Sequence, residues 1–179
     1  MKGFTRKDTF FSLCGLNCAL CPMSLGGHCG GCGNGNQSCS LARCSLEHGG
    51  VEYCFQCPDY PCEKYEGIDD YDSFITHRRQ LSDMERAREM GPENDGLEQR
   101  EKAQILARLL ESYNDGRKKS FYCLAVNLLE LPELREAMEL IGCSGALSEK
   151  ERCAFAADTL REAAARRGVE LKLRRKIKS

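Results

Sequence analysis

The chain of 179 residues has no tryptophan, only five prolines, and 7% aromatic residues. Its apolar share of 41% counts 13 cysteines; without them about 34% remains, below the usual range for a globular domain. Carbon-rich side chains are therefore scarce for a length that suits one ordinary domain, or a small module joined to a second layer. No stretch approaches 18 uninterrupted apolar residues, so no membrane span and no membrane partner are expected. An excess of one charge is also missing. The 26 Lys and Arg are met by 27 Asp and Glu, for a net charge of -1, which argues against a bulk nucleic-acid binder. A secretory leader is not expected: Asp8 follows the basic start, and the run Phe10-Phe11-Ser12-Leu13 is soon broken by Gly15 and Asn17. There is no phosphate loop, no glycine-rich dinucleotide turn after a strand, no H-E-x-x-H and no nucleophile elbow, so no reaction is announced.

What is present is cysteine. Ten of the 13 lie between Cys14 and Cys62; Cys123, Cys143 and Cys153 are scattered through helical sequence. The chain thus has two compositions. Residues 1–67 carry most of the glycine and the clustered cysteines, with little aliphatic mass. Residues 68–179 are rich in Leu, Ala, Glu and Arg. The first part is read as a cysteine-rich metal-binding module and the second as a helical domain with a basic C-terminal arm. A module so poor in apolar mass needs cross-links or a metal to offset its chain entropy. An odd cysteine total and the lack of a leader favour a cytoplasmic chain with reduced thiols, hence metal over disulfides.

The spacing supports metal. It runs Cys14-x3-Cys18-x2-Cys21-x7-Cys29-x2-Cys32-x6-Cys39-x4-Cys44-x9-Cys54-x2-Cys57-x4-Cys62. The three C-x-x-C pairs are Cys18/Cys21, Cys29/Cys32 and Cys54/Cys57. Such a turn lets two sulfurs converge on one ion at about 2.3 Å, as tetrahedral zinc requires. Gly26, Gly27, Gly30, Gly31, Gly33 and Gly35 let backbone wrap closely around the second pair. Pro22 and Pro58 each follow the second cysteine of a pair and set the chain direction. A short helix is expected around Leu41–His48, stopped at Gly49. It would put Cys39 and Cys44 on different faces, serving separate sites.

All ten clustered cysteines are candidate ligands. Ten make two closed four-sulfur sites with two left over; adding His28 and His48 would suffice for three. Two zinc ions are favoured and three remain open. Each four-sulfur zinc unit carries -2, so the loaded protein is more acidic than its composition. An iron–sulfur cluster is the rival, because Cys14-x3-Cys18-x2-Cys21 has the spacing of the radical-SAM cluster motif. The helical pattern that follows does not supply that family's barrel.

The segments Cys14-Gly15-Leu16-x-Cys18-x-x-Cys21-Pro22, Cys29-x-Gly31-Cys32, Cys39, Arg43-Cys44 and Cys54-x-x-Cys57-Pro58-x-Tyr60-Pro61-Cys62-Glu63-Lys64 resemble the bacterial and archaeal cysteine-rich family called domain of unknown function 3795. The likeness covers about residues 10–67, and the helical continuation resembles a longer branch of that family. It implies a zinc-binding module and no reaction.

The rest reads as a helical bundle, giving a mainly α fold class with a small irregular zinc module. A helix is expected to start at the caps Asp69, Asp70, Asp72 and Ser73 and to end near Met90 before Gly91-Pro92. A second covers about 97–113, with Ile105, Leu106, Leu109, Leu110 and Tyr113 on one face. Asn114-Asp115-Gly116 is a turn. Phe121–Leu129 is apolar nearly all round, the central buried helix. Pro132 opens a short helix that ends before Gly142, and Ser148-x-x-Glu151 is a capping box for the last. There Cys153, Ala157, Leu160 and Ala164 share a face. Alternation over 169–174 suggests a short edge strand.

Residues 166–179 hold seven Lys and Arg against one Glu. They read as a solvated or docked arm, with a nucleic-acid contact as the sharper alternative. Asn127, in the most apolar helix, either packs in the core or lines a pocket. His77-Arg78-Arg79 reads as a charged face or an anion site. The favoured function is non-catalytic: structural zinc sites in a module that binds an unknown protein partner. The alternative is an enzyme or a metal or redox relay using a labile zinc, an iron–sulfur cluster or exposed thiolates.

Overall fold

The computed structural model describes residues 2–34, 38–143, 145 and 147–176, and of residues 93–95 the backbone alone. Gly35 and residues 177–179 of the basic arm lie outside the described residues. The chain is mainly helical with an irregular cysteine-rich part, as expected. Its helices are α1 (Pro22–Leu25), α2 (Ser40–Glu47), α3 (Gln80–Met90), α4 (Pro92–Ser112), α5 (Lys119–Leu128), α6 (Leu131–Gly142) and α7 (Glu149–Arg166).

The helical part is built around α5, whose residues Tyr122 to Leu128 are all buried. Leu106 and Leu109 of α4, Leu134 and Ile141 of α6, and Leu160 and Ala163 of α7 close around it. The Tyr122 hydroxyl donates to the Tyr113 carbonyl at 2.6 Å, so the ring is buried without an orphaned O–H. Each boundary follows from local chemistry. Gly91 (φ +82°) breaks α3, and Pro92 starts α4 five residues earlier than the apolar pattern alone suggests. Asn114 Oδ1 takes the Gly116 and Lys118 amides, which makes the turn into α5. Ser148 and Glu151 form the expected reciprocal cap of α7. Cys153, Ala157, Leu160 and Ala164 are all buried.

Two expectations fail. The helix expected from residue 73 begins only at Gln80. Asp72 does not cap it. Its Oδ1 accepts the Thr76 hydroxyl and the His77 amide, and its Oδ2 accepts the Arg174 amide at 2.7 Å. The acidic cluster therefore folds a loop, and Phe74 stays 65% exposed instead of joining the stripe. The edge strand over 169–174 is also absent among the described residues. That segment has two backbone bonds, from the Val169 amide to the Ala164 carbonyl of α7 and from the Asp72 amide to the Arg174 carbonyl, and Arg78 also clamps it by donating to the Glu170 and Lys172 carbonyls. Side-chain donors take the carbonyls that a ladder would have used.

The cysteine-rich part has two small apolar clusters of its own. Phe4, Leu13 and Ala42 form one; Phe11 and Tyr53 join Met84 and Ala87 of α3 in the other. Its N-terminal segment is tied down by charge. Glu52 Oε1 accepts the Lys7 and Asp8 amides, and the Tyr53 hydroxyl donates to Asp8. The part docks on the helices through Leu20, which enters the main core, through the buried Asn17–Gln99 hydrogen bond, and through Gln80 Nε2 on the Cys14 carbonyl at 3.1 Å. Gly15 (φ +97°) is required there, because a Cβ would collide with the Gln80 carbonyl.

Candidate metal centre

Local turns prepare the cysteine pairs. Cys18–Leu20 and Cys54–Gln56 are single 3-10 turns, closed by the Cys21 amide on the Cys18 carbonyl at 3.2 Å and the Cys57 amide on the Cys54 carbonyl at 3.0 Å. A proline ends each turn; Pro22 also opens α1. The Cys29/Cys32 pair has no helical turn. It runs through Gly31 (φ +84°), which lies against the Thr9 carbonyl.

The fold then divides the ten cysteines unevenly. Cys44, Cys54, Cys57 and Cys62 line one cavity of about 20 Å³, closed by Leu41, Val51, Tyr60 and Tyr65. That is room for one ion or one water. Cys14, Cys18, Cys21, Cys29, Cys32 and Cys39 line a separate chamber of about 360 Å³. Cys39 precedes α2 and lines the larger chamber, whereas Cys44 lies within α2 and lines the smaller cavity. Of the remaining three, Cys123 and Cys153 are buried in the helical core and Cys143 is exposed.

The donor set fits a thiophilic ion. Burial pushes the Cys18 and Cys54 thiols up to about 12 and raises that of Cys14 too. Raised in this way, these thiols keep their protons at neutral pH, and a bound metal would have to displace them. Hydrogen bonds already aim at the sulfurs: the Leu13 amide donates to Cys32 Sγ at 3.4 Å, and Ser12 Oγ lies 3.3 Å from Cys14 Sγ. The buried Tyr65 hydroxyl faces Cys54, and their interaction works to lower the Cys54 pKa against its burial. A thiolate at Cys54 would accept that hydroxyl.

His48 also lines the four-cysteine cavity and belongs to a group that the sequence reading only half identified. The Nδ1, Nε2 and carboxylate positions of His48 and Asp59 complete a trio with Cys57, whose donor atoms all lie within 4.8 Å of one another. His48 Nδ1 is 2.9 Å from the Cys44 carbonyl and 3.6 Å from its sulfur; Nε2 is 3.3 Å from Asp59. Asp59 went unnoticed, although it stands between Cys57-Pro58 and Cys62. Among the described residues this is the trio at that spacing, so the cysteine sulfurs are set wider and would move inward around an ion. His28 lines the six-cysteine chamber.

The other singled-out residues divide differently. Asn127 both packs and lines a cavity of about 220 Å³, its Nδ2 donating to the Cys123 carbonyl at 3.2 Å. His77, Arg78 and Arg79 are engaged within the chain. His77 contacts the Ile68 carbonyl and Ser73, Arg78 holds the tail, and Arg79 pairs with Asp83 and Glu130. No helix in the described residues is long and apolar enough to cross a membrane.

No protein-family profile, curated protein or solved structure matches this chain.

Proposed function

We propose that this protein is a non-catalytic zinc–thiolate protein, whose metal sites hold the cysteine-rich part in shape as a binding module for a protein partner. The observation that carries the reading is that Cys44, Cys54, Cys57 and Cys62 line one small cavity of the fold, with the buried Tyr65 hydroxyl directed at Cys54. Four thiolates close a tetrahedral zinc and leave no position for a reacting water. The motif order that resembles domain of unknown function 3795 agrees with this reading, and membership in that family is proposed with it, as is a cytoplasmic location where the thiols stay reduced. Elemental analysis of the chain purified under reducing conditions tests it. The expected result is zinc and no visible absorbance. Stoichiometric iron with a brown colour would overturn it.

A second reading is favoured by one observation. His48 and Asp59 stand beside Cys57 as alternative donors. Exchange of a sulfur for one of them would make the zinc labile and leave an exposed thiolate, as a metal relay or enzyme requires. Rapid alkylation of cysteine with loss of a single ion supports this version; slow alkylation with all metal retained removes it.

A further inference from the structure

Cysteines number more than four in only one of the two cavities. The six thiols of the larger chamber come from two triads on successive loops, Cys14/Cys18/Cys21 and Cys29/Cys32/Cys39. One tetrahedral zinc takes four sulfurs and would strand two thiols on the chamber wall. Two tetrahedral zinc ions need eight sulfur bonds, which six sulfurs supply when two of them are shared, as in two-zinc, six-cysteine modules. Each triad is one sulfur short of a full set, so the sharing must cross between triads.

The two triads meet at Cys14 and Cys32. The Leu13 amide, next to Cys14 on the first loop, donates to Cys32 Sγ of the second at 3.4 Å, and Ser12 Oγ lies 3.3 Å from Cys14 Sγ. The electrostatic influence of Cys32 and Cys39 on Cys14, and of Cys32 on Cys18, runs the same way. Resting on the zinc reading above, we propose that the six-cysteine chamber holds two zinc ions that share the sulfurs of Cys14 and Cys32. Loading forms eight zinc–sulfur bonds and releases six thiol protons, with no oxidation or reduction. The product carries -2, the same as one four-thiolate zinc beside two neutral thiols. The second ion thus replaces two protons without adding charge to a largely apolar chamber, so electrostatics does not oppose its entry. Three ions per chain are then expected, one in the small cavity and two in the large.

Cadmium is the probe. The full chain is stripped by a chelator under reducing conditions and reloaded with an NMR-active cadmium isotope. Three ions per chain are expected, giving one isolated resonance and two that are coupled to each other through shared sulfur. The double variant Cys54→Ser with Cys57→Ser should lose the isolated resonance and keep the coupled pair; Cys14→Ser and Cys32→Ser should each weaken the coupling to that of one sulfur bridge, whereas Cys18→Ser should leave it undiminished. If the double variant does not fold, the wild-type coupling decides alone. Two ions per chain with no coupling overturn the two-ion chamber and leave the zinc reading intact. Coupling undiminished in both Cys14→Ser and Cys32→Ser overturns the assignment of the shared sulfurs. A chain purified with iron in place of zinc overturns both readings together.

Discussion

Lys102 is the side chain with the least support for its charge. It is 2% exposed on α4, and its pKa is lowered to about 8, first by burial and then by the Arg79 charge, with Asp83 and Glu130 opposing. An unfolded lysine titrates near 10.4. Below pH 8 both states carry the proton, so the folded protein bears the whole cost of the buried ammonium. Above pH 8 the folded state sheds its proton first, and the cost fades toward pH 10.5. Replacing Lys102 by Met should therefore stabilise the chain by about 2 kcal/mol near pH 7, with the gain shrinking as pH rises from 8 to 10.5. Urea melts of both proteins across that range check this. A gain independent of pH would mean that the charge is not what costs. Lys102 continues the stripe of Leu106, Leu109 and Tyr113 at i, i+4, i+7 and i+11, but a lysine there reads as the charged end of the stripe; the carboxylates facing it, Asp83 and Glu130, come from α3 and from the start of α6.

Among the elements, α7 has the best-defined beginning. Ser148 Oγ accepts the Glu151 amide while Glu151 Oε2 accepts the Ser148 amide at 2.9 Å. Ser148→Ala should cost about 1 kcal/mol in a urea melt, and Ser148→Asp should recover most of it. A loss well below 0.5 kcal/mol would mean that the tertiary contacts of α7 hold its first turn without the cap. The tail after α7 depends on a different device. Burial works to raise the Asp72 pKa, but the His77 and Arg174 amides, the Thr76 hydroxyl and Arg78 outweigh it and hold the pKa below its usual 3.8. A depressed carboxylate contributes stability above its unfolded pKa and loses it as pH falls through the folded one. Asp72→Asn should thus expose residues 169–176 to trypsin at neutral pH, and acidification below pH 4 should likewise remove the amide protection of Arg174. An unchanged cleavage rate would place the anchoring in Val169 and Leu171 instead. Most helices were legible from apolar period and caps. The false start at residue 73 was not, because Asp72 could cap a helix or a loop and only the distant Arg174 decides between them.

Taken as one molecule, the protein joins two kinds of stabilisation. Around α5, apolar burial is enough: among the described residues the main core draws only Leu20 from the cysteine-rich part. In that part the clusters are small, and on the zinc reading proposed above metal–sulfur bonds would supply the remainder, on the order of 10 kcal/mol per ion by analogy with zinc-finger peptides. Exhaustive chelation should therefore abolish amide protection over residues 10–67 while α5, α6 and α7 keep most of their helical circular dichroism. The helices should lose about 3 kcal/mol, the cost of withdrawing one leucine from a packed core. Complete loss of the helical signal would show that the two parts fold only together. Cysteine-rich sequence that keeps its protection without metal would remove the zinc reading itself.

The character of this chain was set locally. Turns of four residues bring Cys18 to Cys21 and Cys54 to Cys57, periodicity marks the buried face of α5 and α7, and side-chain caps act within three residues; none of these needs a distant partner. The partition of ten cysteines into six and four, the docking of the tail on Asp72 and Arg78, and the burial of Lys102 all depend on groups tens of residues apart. Spacing fixes the distance between sulfurs only across a turn, because a glycine-rich loop of six or more residues has too many paths for its ends to be placed without the packing that selects one.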